Sequence, residues 1–199
     1  MFQTIKQHFN KKRLTDPKYE YLFDKYEGDE LVCFDCETTG LNPKKDDIIS
    51  IGAVRIKGDK IDLRNKFERF VKPKSADMIE EAIKIHQIRE VDLQYAGDID
   101  DVIEEFIDFI GNRPLVGYYL EFDCAMINRY IKPKLGITLP NKRTEVSELY
   151  YDKMIKKLCK ILTISNNQIT IKATTNEQSG LIGEGKFIAC WSNVSLLDS

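Results

Sequence analysis

Residues 31–41 decide the fold, and they read Leu-Val-Cys-Phe-Asp-Cys-Glu-Thr-Thr-Gly-Leu. The first half is an apolar strand, and the second half carries two carboxylates ahead of a turn that contains a glycine. Side chains alternate between the two faces of a strand, so Asp35 and Glu37 share one face, with Cα atoms about 6–7 Å apart. The stretch therefore predicts a pair of neighbouring carboxylates at the end of an apolar strand.

Two carboxylates side by side on an apolar strand repel each other and lose hydration, which is unfavourable unless a cation compensates them. The simplest compensation is a hard divalent cation with oxygen ligands, Mg²⁺ or Mn²⁺. The alternative is that the strand has already ended and the two acids lie in a solvated loop. Asp35 and Glu37 alone leave both interpretations open.

The composition indicates a globular protein with no general affinity for polyanions. A chain of 199 residues suits one domain with a modest extension, and its net charge of -2 means that nucleic-acid binding would need a local basic patch. The sequence predicts no membrane partner, because no apolar run approaches the roughly 18 residues of a membrane span. The five scattered cysteines favour a reducing, cytoplasmic setting.

The rest of the chain predicts an α/β fold with a mixed sheet and flanking helices. Apolar strands are expected over residues 47–56, 64–72 and 114–119, and helices over residues 78–89, 98–110 and 125–131. The turn at residues 57–60 makes the first three strands an antiparallel meander. A later strand that alternates with helices adds the mixed part of the sheet.

A third acid, Asp123, follows the apolar strand near residue 116 and precedes a helix. An aspartate at that position is a common helix cap and needs no function. From the residues alone, Asp123 is therefore interpreted as a cap, although it repeats the pattern of an acid at the end of an apolar strand.

Two segments resemble the DEDD 3′–5′ exonucleases, the group that includes the proofreading epsilon subunit of bacterial DNA polymerase III. Residues 34–41 resemble the first motif of that family, and residues 116–123 (Val-Gly-Tyr-Tyr-Leu-Glu-Phe-Asp) resemble the second. Residues 85–88 (Ile-His-Gln-Ile) are similar to a further family segment. The resemblance covers roughly residues 30–157 and implies a ribonuclease H-like exonuclease fold.

The resemblance implies hydrolysis of nucleotides from DNA 3′ ends, as in polymerase proofreading, with two divalent ions, Mg²⁺ or Mn²⁺. Asp35, Glu37 and Asp123 would hold the metals, Asp35 bridging both of them. The 3′-terminal nucleotide would lie against Thr38, Thr39, Gly40, Leu41 and Phe122. The implied partners are a single-stranded or frayed DNA 3′ end and a DNA polymerase subunit. A ribonuclease of the same group is a weaker interpretation, because these motifs do not distinguish ribose from deoxyribose.

The third family motif, a histidine or tyrosine four or five residues before an aspartate, is missing. The only histidines are His8 and His86, both upstream of Asp123, and neither Asp152 nor Asp198 has the required residue before it. The activity of this chain is therefore in doubt. The alternative function is a catalytically defective exonuclease-like protein that binds nucleic acid or a polymerase partner.

The domain organisation predicted from the sequence is a charged helical extension (1–29), an exonuclease-like domain (30–157) and an atypical tail (158–199). Residues 159–199 carry only six charged side chains. They predict one hairpin, with strands at 161–164 and 169–171, and the final helices of the family are expected to be absent or replaced. The hypothesis is a reading frame altered near residue 158, and the alternative is a divergent C-terminus.

Overall fold

The computed structural model describes residues 2–74, 88–172 and 180–195. The chain divides into two compact units, 1–152 and 153–199. The predicted helix at 78–89 and the segment around His86 lie largely outside the described residues. Within the described part, no helix combines the length and apolar character that a membrane span requires.

The described residues of the first unit contain five strands and three helices, and a further helix begins near its end. In chain order they are α1 (Phe2–Lys11), β1 (Glu30–Thr38), β2 (Ile48–Lys57), β3 (Lys60–Phe70), α2 (Ile99–Ile110), β4 (Leu115–Gly117), α3 (Leu120–Leu135) and β5 (Arg143–Glu145). Short 3-10 helices cover Pro17–Phe23 and Glu90–Leu93. The helix α4 (Val146–Leu162) follows β5 and begins in the first unit. The described residues of the second unit contain the rest of α4, a 3-10 turn (Asn166–Gln168) and α5 (Gly180–Gly183).

The sheet has the strand order β3-β2-β1-β4-β5, which places β1 at its centre. β1 pairs with β2, and β2 with β3, in antiparallel fashion, which confirms the predicted meander. β4 pairs in parallel with β1 and with β5, so the sheet is mixed, as predicted. A central strand has neighbours on both sides, so Asp35 and Glu37 of β1 lie in the middle of the sheet.

The hydrophobic core lies between one face of β1 and the apolar stripe of α2. Val32, Phe34 and Cys36 are buried on that face, and the Phe34 ring lies 5.1 Å from that of Phe106, centroid to centroid. The stripe of α2 is buried as its spacing predicts: Ile99, Val102, Ile103, Phe106, Ile107 and Ile110. Since the other face of β1 is not committed to this core, it is available for polar side chains.

Helix α3 begins at Leu120, earlier than the sequence predicts, and continues through Pro133. It ends at Gly136, whose φ of 72° is left-handed and favours glycine. A Cβ atom there would lie 2.2 Å from the carbonyl oxygen of Arg13. The absence of a side chain at Gly136 lets the segment after α1 pack directly against the end of α3.

The hairpin predicted in the tail is wrong. Residues 161 and 162 belong to α4, a 17-residue helix, and the proposed hairpin loop is a 3-10 turn. The helical period continues through this segment, because Ile155, Leu158 and Leu162 recur at intervals of three and four residues.

Candidate active site

Asp35 and Glu37 project from one face of β1, as the alternation predicts. The buried residues Val32, Phe34 and Cys36 alternate with them, Asp35 is exposed and Glu37 is half-buried. Gly52 of β2 is the register partner of Asp35, and a Cβ atom built on Gly52 would meet no described atom within 4 Å. The sheet therefore leaves open space beside the Asp35 carboxylate.

Asp123 lies on the first turn of α3 and is 3% exposed. Its Oδ1 accepts a hydrogen bond of 3.2 Å from the backbone N–H of Cys36, the residue between Asp35 and Glu37. Interpreting Asp123 as a cap of its own helix is wrong, because α3 begins three residues earlier and the carboxyl bonds to β1. The hydrogen bond joins the third acid to the strand that carries the other two.

Burial, and secondarily the charges of Asp35 and Glu37, raise the pKa of Asp123 to about 8. The hydrogen bond from Cys36 opposes this shift but does not overcome it. A buried carboxyl facing two further carboxylates is unfavourable when ionised unless a cation is present. The electrostatics at Asp123 therefore favour a positively charged ligand.

This donor set fits a hard divalent cation, since it consists of carboxylate oxygens beside the open space at Gly52. The three acids interact electrostatically but do not form an assembled cluster. Across residues 2–74, 88–172 and 180–195, no three histidine, cysteine or acidic side chains lie close enough together to hold a metal ion as they stand. Asp123 is fixed by its hydrogen bond to the strand that carries the other two acids.

The turn after β1 uses its two threonines for internal hydrogen bonds. The register shifts between Glu37 and Thr38, and the Thr38 hydroxyl donates to the carbonyl oxygen of Gly40 at 2.7 Å. Thr39 is 1% exposed, whereas Leu41 is 85% exposed. Of the side chains in this turn, Leu41 is therefore the one presented to solvent and to a ligand.

Asp47, which sequence reasoning did not single out, closes this turn from the other side. Its backbone N–H donates to the Thr39 hydroxyl, and its backbone carbonyl accepts from the N–H of Thr39, both at 2.9 Å. Its buried carboxylate accepts from the Tyr130 hydroxyl (3.1 Å) and the Lys74 amide (2.9 Å), and it pairs with Arg129 (3.3 Å). Asp47 thus ties the turn to α3 and to the chain that follows β3.

Tyr119 immediately precedes α3 in a left-handed conformation, with φ 55°, and is 66% exposed. Its ring stacks on that of Phe122, with centroids 5.8 Å apart and planes inclined by 7°. In the sequence, Tyr119 lies within the segment that resembles the second family motif, residues 116–123. The structure pairs this exposed ring with the half-buried ring of Phe122, the residue directly before Asp123.

Glu145, at the end of β5, holds the start of α3 and was also missed. Its carboxylate accepts four hydrogen bonds: from the backbone N–H groups of Tyr119 (3.1 Å) and Leu120 (2.9 Å), and from the backbone N–H (3.2 Å) and hydroxyl (3.0 Å) of Ser147. Burial alone would raise the pKa of Glu145, but these donors together lower it. The only sequence signal is an acid ahead of a helix. The parallel pairing of Gly117 with Glu145 is what brings this carboxylate to the start of α3.

Replacing Glu145 with glutamine is expected to reduce the free energy of unfolding by about 1–2 kcal/mol, because an amide group cannot accept all four donated hydrogen bonds. Urea denaturation measures the change. The matched control is Glu148→Gln, an exposed residue of α4. Equal effects of the two substitutions would show that the Glu145 carboxylate does not stabilise the start of α3.

The described residues contain one histidine, His8, which is exposed on α1. His86 lies outside the described residues, as does Asp198. Asp152 lies on α4, with serine five residues before it and glutamate four residues before it. Neither Ser147 nor Glu148 is the histidine or tyrosine that the third family motif requires before its aspartate.

Comparison with known proteins gives a consistent set of relatives. The exonuclease family model RNase_T matches residues 32–176. The DNA polymerase III PolC-type protein of Caldanaerobacter subterraneus is 38% identical over 120 residues, or 60% of this chain and 8% of that protein. The DNA polymerase III subunit epsilon of Aquifex aeolicus is 32% identical over 123 residues, or 61% of this chain and 59% of that subunit.

The same fold occurs in a solved structure, the zinc-bound form of an Escherichia coli ExoI–ssDNA complex. The TM-score is 0.57 with 14% sequence identity, over 65% of this chain and 30% of that one. This match supports the fold alone. The chain spans less than two thirds of the length of each of these relatives.

Proposed function

Because this chain belongs to the RNase_T exonuclease family, whose members are 3′–5′ exonucleases, we propose that it is a metal-dependent 3′–5′ exonuclease. Its substrate is a DNA 3′ end, single-stranded or frayed from a primer. The observation that supports this most strongly is the buried Asp123 carboxyl, which is bonded to the amide between Asp35 and Glu37 and carries a pKa of about 8. That arrangement disfavours the ionised form of Asp123 unless a cation is bound beside it.

Asp35, Glu37 and Asp123 would hold two divalent ions, Mg²⁺ or Mn²⁺. When bound, such ions stabilise the charge of a scissile phosphate and activate water for in-line attack. Asp35, exposed beside the open space at Gly52, is the acid best placed to contact both ions. Asp123 would contribute a ligand whose position is fixed by the N–H of Cys36.

The 3′-terminal nucleotide is proposed to lie between the turn after β1 and the start of α3. The buried hydroxyls of Thr38 and Thr39 hold the turn in shape. Gly40 leaves room for the Asp46 carboxylate, whose Oδ2 lies 2.6 Å from where a Cβ atom would be. Leu41 is exposed and is proposed to pack against a base. Phe122 lies beneath the exposed Tyr119 ring, so the aromatic pair extends this surface.

Tyr119→Ala is expected to raise KM for a single-stranded oligonucleotide about tenfold, with kcat nearly unchanged, because base–aromatic stacking contributes about 1–3 kcal/mol per base. Steady-state kinetics with a single-stranded substrate test this. Tyr119→Phe should retain the low KM, and Tyr95→Ala, which removes a tyrosine that is 91% exposed, serves as control. An unchanged KM for Tyr119→Ala would remove Tyr119 from the substrate surface.

A role in DNA replication, as a proofreading activity beside a DNA polymerase subunit, is proposed from the polymerase III relatives. The five cysteines are free thiols, which supports a reducing, cytoplasmic setting.

The sequence-based division into residues 1–29, 30–157 and 158–199 remains a proposal, as does an altered reading frame near residue 158. Translating the other two frames of the coding DNA tests the latter: a late helix with histidine five residues before aspartate supports it.

The second candidate function is that of a catalytically defective descendant that binds nucleic acid or a polymerase subunit. The specific observation in its favour is the missing third motif, since no histidine follows Asp123 in the sequence. In the family that motif supplies the residue which positions or deprotonates water and the last acidic ligand. A chain without both could bind a 3′ end without cutting it.

Release of mononucleotides from a 3′-mispaired primer separates the two candidates. The assay compares Mg²⁺, Mn²⁺ and excess chelator, and a parallel assay measures binding of the same primer. Metal-dependent release that the chelator abolishes supports the exonuclease, and binding without release supports the defective protein. An RNA primer in the same assay tests the ribonuclease interpretation.

A further inference from the structure

A groove of about 560 Å³ lies on the sheet face opposite Asp35, beside the β2–β3 hairpin. Arg55 shows which face this is. Its register partner in β1 is Val32, which is buried on the face opposite Asp35, and its side chain contacts Phe109 of α2. The charged residues that line the groove are Glu30, Arg55, Lys57, Lys60, Asp62 and Arg64. Four cations and two carboxylates thus meet in one place, in a chain whose overall net charge is negative.

Ion pairs neutralise only part of this positive charge. Glu30 pairs with Arg113 at 2.8 Å, and Lys57 pairs with Asp29 at 3.3 Å. Among residues 2–74, 88–172 and 180–195, the structure contains no ion pair of Lys60, Arg64 or Arg55. Those three cations leave the groove with a net positive charge even when the Asp62 carboxylate is counted.

Arg55 is fixed in place but incompletely hydrogen-bonded. Its guanidinium lies 4.6 Å from the centroid of the Phe109 ring, and its Nη2 donates to the Phe109 carbonyl oxygen at 2.9 Å. Its Nε is buried and has no hydrogen-bond partner among the described residues. Buried donors are nearly always satisfied in proteins, so an unsatisfied arginine donor on the wall of a groove indicates a missing acceptor.

The rim of the groove is a bulge in β3. The pairing passes from Ala53 with Phe67 to Arg55 with Asp62, which leaves residues 63–66 outside the ladder. The Asp62 carboxylate accepts from the backbone N–H of Arg64 (3.1 Å) and from the side-chain amide of Asn65 (2.7 Å). Asp62 is therefore occupied in holding the bulge that presents Arg64, as bulges commonly re-aim a side chain.

We propose that this groove binds a phosphate group, through Arg64, Lys60 and Arg55. Guanidinium groups present paired donors that match the oxygens of a phosphate, and the lysine adds a mobile charge. The site is separate from the acidic one: it lies on the opposite face of the sheet, and Glu30 and Glu37 are about 23 Å apart along β1. The inference does not depend on exonuclease activity.

The test is direct titration of the whole chain with inorganic phosphate and, separately, with a short oligodeoxynucleotide, both with excess chelator so that no hydrolysis occurs. Calorimetry gives the affinity. The double variant Lys60→Gln/Arg64→Gln should bind at least about tenfold more weakly, since each charge-assisted hydrogen bond contributes about that factor. The control Lys132→Gln, an exposed lysine of α3 outside the groove, should bind like the unmodified chain.

The two ligands identify the source of the phosphate. Competition between them, with both affinities lowered in the double variant, assigns the groove to a nucleic-acid backbone. Saturable binding of phosphate that the oligonucleotide does not displace assigns it to a free phosphate or phosphorylated small molecule. If neither ligand binds saturably, or if the double variant binds like Lys132→Gln, the groove is not a phosphate site.

Discussion

Asp35→Ala is expected to lower the rate of mononucleotide release by on the order of a thousandfold, the effect of removing a principal group that stabilises transition-state charge. The substitution removes the exposed carboxylate that is proposed to contact both ions, and Gly52 opposite offers no replacement side chain. Single-turnover release from a 3′-mispaired primer measures the loss. Binding of the primer in the presence of chelator should change little.

The control for Asp35→Ala is Asp101→Ala, which removes an exposed acid on α2 at an equal change of charge. Its rate should stay within about twofold of the unmodified chain, because distant surface charges are screened by salt. An Asp35→Ala protein as active as this control would contradict a metal-ligand role for Asp35. A chain that is inactive before substitution supports the defective descendant instead.

Asp123→Asn is expected to abolish release and, without metal, to stabilise the protein at pH 8. The folded-state pKa of about 8 lies above the ordinary value of 3.8, so the unfolded chain loses this proton first as the pH rises. Folding stability therefore falls between about pH 4 and pH 8. Asparagine does not ionise and can still accept the N–H of Cys36, so the variant should gain a few kcal/mol at pH 8 and little at pH 4.

Urea denaturation at pH 5 and pH 8 with excess chelator measures this difference. Asp101→Asn is the matched control, and it should shift the free energy of unfolding equally at both pH values. If Asp123→Asn lost stability at pH 8, the carboxyl would be stabilised by its surroundings when ionised. That result would remove the main electrostatic support for a cation at this site.

The central acids could be predicted from the sequence because they depend on local rules. Alternation along β1 places Asp35 and Glu37 on one face, and the buried residues between them confirm it. The stripe of α2 is similarly local, since its spacing alone predicts the buried face. Both patterns repeat within one element and need no information about neighbours.

The supporting residues could not be predicted, because their roles depend on pairing between distant segments. Glu145 reaches Tyr119 only because β5 pairs with β4, and Asp47 meets Tyr130 across 83 residues of chain. The error over residues 161–171 has a different origin. Short apolar runs are compatible with a strand or a helix, and there the helical period of α4 continued further than expected.

The hydrogen bonds around Asp47 have a consequence for the thermodynamics of binding. They tie the turn at Thr39 to Tyr130, Arg129 and Lys74 in the protein without ligand. The turn is thus already ordered, and its conformational entropy was lost on folding rather than on meeting a DNA end. If the proposed 3′-nucleotide site is correct, its affinity depends on contacts made by Leu41 and the Tyr119–Phe122 pair, because the turn at Thr39 does not have to be ordered on binding.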